Sequence, residues 1–122
     1  MGNDAARAVP VSARRPIDPQ NSIEYMDKHA PAFAKAKAER MYLEEFRKSK
    51  KALLMQQHGE KPIGAQEREA YAHAEYIGIL AAIQVAVETE ETLRWRLIAA
   101  QTAVEVWRSQ EASNRAIDQA TQ

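Results

Sequence analysis

The sequence predicts an all-α protein, an antiparallel helical hairpin whose second arm is one long coiled-coil-like helix. Three observations carry this. First, Ile79, Ile83, Ala86, Leu93, Leu97, Ala100, Val104 and Trp107 follow one another at alternating steps of four and three, with Glu90 as the one charged member of the series. Second, 32–57 is built from strong helix formers, with apolar and basic residues falling on different faces. Third, the two stretches are joined by His58-Gly59-Glu60-Lys61-Pro62-Ile63-Gly64, short enough to make them antiparallel neighbours.

The long arm, from about Tyr76 to Arg115, contains no proline, and its one glycine, Gly78, lies near the start. Nothing covalent stops a helix of roughly 60 Å at 1.5 Å per residue. Leu80, Val87 and Ile98 sit one position on from seam residues, so the apolar face is wider than a two-helix seam requires. Glu90 and Arg94 stand four apart in the order that favours a helical ion pair. Placed in an apolar seam, they are candidates for fixing the register of an oligomer; the alternative is that both reach to its rim.

At 122 residues the chain has room for one domain, and its 45% hydrophobic content, rich in alanine, closes only a thin core. The absence of cysteine removes disulfide and thiolate chemistry and makes the cytoplasm the expected compartment. No apolar run reaches the roughly 18 residues of a membrane span, and no signal-peptide core is evident. Ala6 stands where an N-myristoylation motif wants serine or threonine. The net charge is zero, yet Lys28 to Lys61 holds nine Lys/Arg against four Glu, and Ala65 to Gln122 holds five against nine acidic residues. Packed side by side, the basic and acidic arms attract.

Taken in order, 1–21 contains Pro10, Pro16 and Pro19 and too few apolar residues to offset chain entropy, so it reads as a mobile tail before a domain spanning 22–122. Its Arg14-Arg15 pair offers a weak phosphate contact at most. Asn21 or Ser22 can cap a short helical turn through Ile23, Tyr25 and Met26. Pro31 then disfavours helical geometry at Ala30, so the first arm is expected to start again with Pro31 in its first turn and to run to Gln57. At 100° per residue, Tyr42, Leu53, Phe46, Ala32, Leu43, Ala36 and Leu54 share an apolar face, while Arg47, Arg40, Lys51, Lys37 and Lys48 share a basic one with Glu44 among them. Gly59 is placed to take a left-handed C-cap and Pro62 forbids continuation. The return arm starts at Ala65 or Gln66, with room for a kink between Tyr71 and Gly78.

An arm of about 27 residues spans roughly 40 Å, and a return arm from Ala65 onward roughly 75 Å. The second arm therefore outruns the first, exposing the part that holds Trp95, Leu97, Ile98, Val104, Val106 and Trp107. A second copy or another protein is expected to cover it, making Leu93, Leu97, Ile98, Val104 and Trp107 the candidate oligomer or partner interface, with a dimer the simplest assembly.

No residue pattern points to catalysis. The serines lack a glycine-flanked elbow, no glycine-rich phosphate loop occurs, and Glu44-Glu45 and Glu90-Glu91 are sequence neighbours on different helix faces. Glu69 and His73 lie four apart with Glu75 nearby, short of the ligands that a metal site requires. No catalytic residue, metal or cofactor is therefore assigned. The row Lys37, Arg40, Arg47, Lys48 and Lys51 is a candidate nucleic-acid face, because phosphate binding wants cations accessible from one side. Against it, Tyr42 and Phe46 fall on the apolar side, away from stacking positions, and Glu44 can pair with Arg47 or Lys48.

The segments Glu24-Tyr25-Met26, Tyr42 through Ala52, Gln66 through Ala72, and Leu93-Arg94-Trp95 through Glu105-Val106-Trp107-Arg108 resemble a family of small helical proteins of tailed bacteriophages, over about 23–116. The resemblance implies a protein of the bacterial cytoplasm that acts through a phage or host protein. An inhibitor of a host system, or an accessory factor of phage DNA recombination or replication using the basic helix, fits the same resemblance. It supplies no catalytic motif.

Overall fold

A computed structural model describes residues 16–121. Three helices, α1 (Pro19–Gln56), α2 (Ile63–Ala72) and α3 (Ala74–Thr121), account for 91% of the described residues. α1 packs lengthwise against α3 as an antiparallel hairpin, and the short α2 forms its elbow.

α1 begins twelve residues earlier than Pro31. Asp18 is its N-cap, accepting a hydrogen bond from the Gln20 N–H at 3.0 Å, and Pro19 occupies the first turn, where a missing N–H costs nothing. Residues 19–21, expected in the tail, are thus helical; 16–18 precede the helix, and 1–15 lie outside the described residues. Nor does the helix restart at Pro31, which lies inside it. The proline removes one helical hydrogen bond, but Pro31 and Asp27 both face solvent, where water can satisfy the released carbonyl. What offsets the cost is packing: Ser22, Tyr25, Met26, His29 and Phe33 are all partly buried.

Burial reveals the seam on each helix. On α3 the buried or half-buried positions Tyr76, Ile79, Ile83, Ala86, Glu90, Leu93, Leu97, Ala100, Val104 and Trp107 repeat the three-four spacing read from the sequence. On α1 the matching series is His29, Phe33, Ala36, Arg40, Leu43, Arg47, Lys50 and Leu54. This face is rotated from the one expected. Tyr42 and Leu53, placed inside by hydrophobicity, are 65% and 53% exposed, whereas Arg40 and Arg47 lie on the seam. Charged side chains with long stems can hold seam positions when a carboxylate waits across the interface.

At the elbow, α1 ends at Gln57 in right-handed geometry, and a run of turn hydrogen bonds carries the chain to Lys61. Gly59 does not adopt the expected left-handed cap, since no glycine among the described residues has positive φ. The return arm is divided at His73, within the stretch where a kink was allowed. His73 is extended (φ −68°, ψ 137°), and α2 and α3 meet at a 55° bend. Its imidazole Nδ1 accepts the Glu75 N–H at 3.0 Å, so the residue that ends α2 also caps α3. Leu54, Ala70 and Tyr76, three of the five buried apolar residues among those described, pack together here with Met55 against them.

The longer α1 alters the expected overhang. With Arg40 opposite Glu90, equal rise along both helices brings Pro19 to about residue 110 of α3. Trp95 to Trp107 therefore lies alongside α1 and does not project beyond it. Only the last turns of α3, whose residues 112–121 are all exposed, extend further. Among the described residues no single helix is long and apolar enough to cross a membrane.

Candidate functional site

The five candidate interface residues, Leu93, Leu97, Ile98, Val104 and Trp107, are all half-buried on α3. Leu97 and Ile98 line a groove with Met26, Ala30 and Phe33 of α1. They are thus engaged within one chain, and the overhang that recommended them as a surface for a second chain is absent. The large apolar residues left in water lie elsewhere and include Tyr42 and Leu53 on α1, and Ile77, Val85 and Trp95 on α3, Val85 being 63% and Trp95 59% exposed. Tyr42 and Phe46 stack with ring centroids 5.9 Å apart, forming a continuous aromatic strip. With Leu53 they occupy one sector of α1, roughly 90–130° from its seam at 100° per residue. The antiparallel register brings Tyr42 and Phe46 level with Val85, which lies on the same flank of α3.

The basic row behaves differently from its expectation. Arg40 turns into the hairpin, hydrogen-bonds both carboxylate oxygens of Glu90 (Nη2 to Oε1 at 3.1 Å), and holds Glu44 at 3.0 Å through Nη1. These charge-assisted bonds raise the Arg40 guanidinium well above its ordinary range, Glu90 contributing most and Glu44 next. The Glu90 side chain keeps 8% of its surface. A charge so nearly buried needs its partner, and Arg40 supplies it from the facing helix. Lys51 lies 4.6 Å from the Tyr71 ring centroid and 3.6 Å from Glu67, and Tyr71 is the larger cause of its raised pKa. Lys48 meets Glu45 at 3.3 Å on its own helix, and Lys37 is exposed. Arg47 is half-buried and forms no ion pair among the described residues. The candidate nucleic-acid face is consequently broken up: two of its five cations are held by carboxylates of α2 and α3.

The expected Glu90–Arg94 pair does not form. Arg94 pairs with Glu91 at 2.8 Å and lies 4.7 Å from the Trp95 ring, so it is not the partner of Glu90. Glu69 reaches Lys61 at 3.3 Å, leaving His73 to its capping role. A turn away, Lys50 binds Glu75 at 2.8 Å and holds that carboxyl below its ordinary range. The Arg40–Glu90 bridge was missed because its members are fifty residues apart. The signal available was a single acidic residue in one seam and a basic residue in the three-four series of the other.

No group of three or more potential metal ligands occurs among the described residues. No protein-family model matches the sequence, and comparison with curated proteins and with solved structures found no match.

Proposed function

We propose that this chain is a non-enzymatic interaction protein that pairs with a second copy and presents the paired hairpins to a protein partner. The observation that carries this reading is the stacked pair of Tyr42 and Phe46, with Leu53 in the same sector of α1 and Val85 level with them on α3, on a hairpin with five buried apolar residues among those described. Isolated apolar side chains on a surface are ordinary, but several gathered on one flank of a thinly cored protein favour association. A helical hairpin laid flank to flank with its copy would complete a four-helix arrangement with a core of usual thickness. The resemblance to small helical phage proteins supports a further partner from phage or bacterial host, met in the cytoplasm. The breaking up of the basic row lowers support for a recombination accessory that grips nucleic acid along α1.

Light scattering of the full chain tests the first step. The expected mass is twice the 13.7 kDa of one chain. Tyr42→Glu with Val85→Glu should return it to one chain without loss of helix by circular dichroism, because both residues are already in water in the single hairpin. A stable monomer for the unaltered chain at high concentration contradicts the reading.

A further inference from the structure

We infer that the elbow of the hairpin is a binding site for a nucleotide phosphate. Arg47, Lys48 and Lys51 of α1, Tyr71 of α2 and Tyr76 of α3 converge on one recess of about 440 Å³. Each helix contributes to it, so it exists only because His73 breaks the return arm and folds α2 beside α1.

Its electrostatics follow from where the nearby carboxylates go. Glu44 stands three residues from Arg47 and four from Lys48, within reach of both by helical spacing, yet Arg40 takes it. Lys48 keeps Glu45 on the outer surface, and Lys51 keeps Glu67 at 3.6 Å. Arg47 is left in the recess with no carboxylate partner among the described residues, half-buried, where its field is screened less than at a free surface. A guanidinium fork beside two ammonium groups suits a tetrahedral dianion, whose double charge and three terminal oxygens match the three cations better than a singly charged carboxylate does.

The recess is larger than a phosphate needs, and its remaining wall is aromatic. Tyr71 and Tyr76 meet edge to face with centroids 5.3 Å apart; Tyr76 is buried and Tyr71 is about half exposed. Lys51 stands over one face of the Tyr71 ring, 4.6 Å from its centroid. An accessible tyrosine ring beside a cation cluster offers a base a stacking surface while the phosphate sits among the cations. The ligand class is therefore a phosphomonoester carrying a planar base, whether a free nucleotide or the 5′ end of a strand.

Calorimetric titration of the full chain with AMP, adenosine and inorganic phosphate tests this. AMP should bind at least tenfold more tightly than adenosine, and inorganic phosphate should compete with it. Arg47→Gln should weaken AMP binding tenfold or more, and Arg47→Lys less, while Lys37→Gln, elsewhere on α1, should leave it within twofold; circular dichroism melts report whether each variant is folded. A 5′-phosphorylated oligonucleotide that competes with AMP where its 5′-hydroxyl counterpart does not identifies a strand end as ligand, and competition by nucleotides alone identifies a free nucleotide. Equal affinity for AMP and adenosine, no AMP binding at millimolar concentration, or an AMP affinity unchanged in folded Arg47→Gln overturns the inference.

Discussion

Glu90 is the residue on which the register of the hairpin turns. It is 6% exposed and is reached by Arg40 from the other helix, so sliding the helices by one turn would leave a carboxylate buried and unpaired. Replacing Arg40 with Met should therefore lower the melting temperature more than replacing Arg40 and Glu90 together with Met and Leu, since the double change removes the buried charge as well as its partner. Thermal melts of the two variants check this; equal or opposite ranking means that the pair does not set the register. Glu75 and Glu91 carry the acid dependence. Hydrogen bonding to Lys50 lowers the Glu75 pKa, and hydrogen bonding to Arg94 lowers that of Glu91. A carboxylate with a depressed folded-state pKa contributes stability above the ordinary glutamate range, about 4.3, and loses it as the pH falls through its folded value. Both residues are about half exposed and the contributions correspondingly small. Melts at pH 7 and pH 3.5 should show a smaller acid-induced loss in Glu75→Gln with Glu91→Gln than in the unaltered chain.

Among the helices, α3 was the most legible. Its seam is apolar except at Glu90, so the three-four spacing in the sequence is also the buried series in the structure. α1 was legible as a helix but not in orientation. Hydrophobicity alone puts Tyr42 and Leu53 inside, and it has no means of knowing that Arg40 has a carboxylate fifty residues away. The same blindness to tertiary packing ended the predicted arm at Pro31. Local sterics argue for a break there, but the turns before it gain contacts with α3 that a local rule does not count. Pro31→Ala, at an exposed site in a continuing helix, should stabilise the protein by about 1–3 kcal/mol, whereas Asp18→Ala should cost about 1 kcal/mol by removing the N-cap. Chemical denaturation measures both. If Pro31→Ala is neutral or destabilising, the helix does not run through this position as described. Of the recess at the elbow only the cations Arg47, Lys48 and Lys51 and the room for a kink were legible, because bringing Tyr71 and Tyr76 beside them depends on the break falling at His73. His73→Leu removes the ring nitrogen that caps α3 and should cost about 1 kcal/mol, and His73→Asn should restore much of it.

For the whole molecule, the length of α1 determines which apolar surface stays exposed. If α1 began at Pro31, the C-terminal half of α3 would be bare and Leu97, Ile98 and Val104 would await a partner. With α1 beginning at Pro19, Met26, Ala30 and Phe33 line a groove with Leu97, Ile98 and Gln101, and Tyr42 and Val85 are among the large apolar residues left exposed. The most direct test uses paramagnetic broadening. A nitroxide on Gln101→Cys, the only cysteine in that variant, is read by ¹⁵N-labelled amides of the same chain in a sample diluted with unlabelled, unmodified protein. Intrachain closure predicts strong broadening of the amides of 26–33, with those near Leu54 unaffected. Sharp, unbroadened amides across 26–33 would contradict it, because α1 would then not reach the C-terminal half of α3.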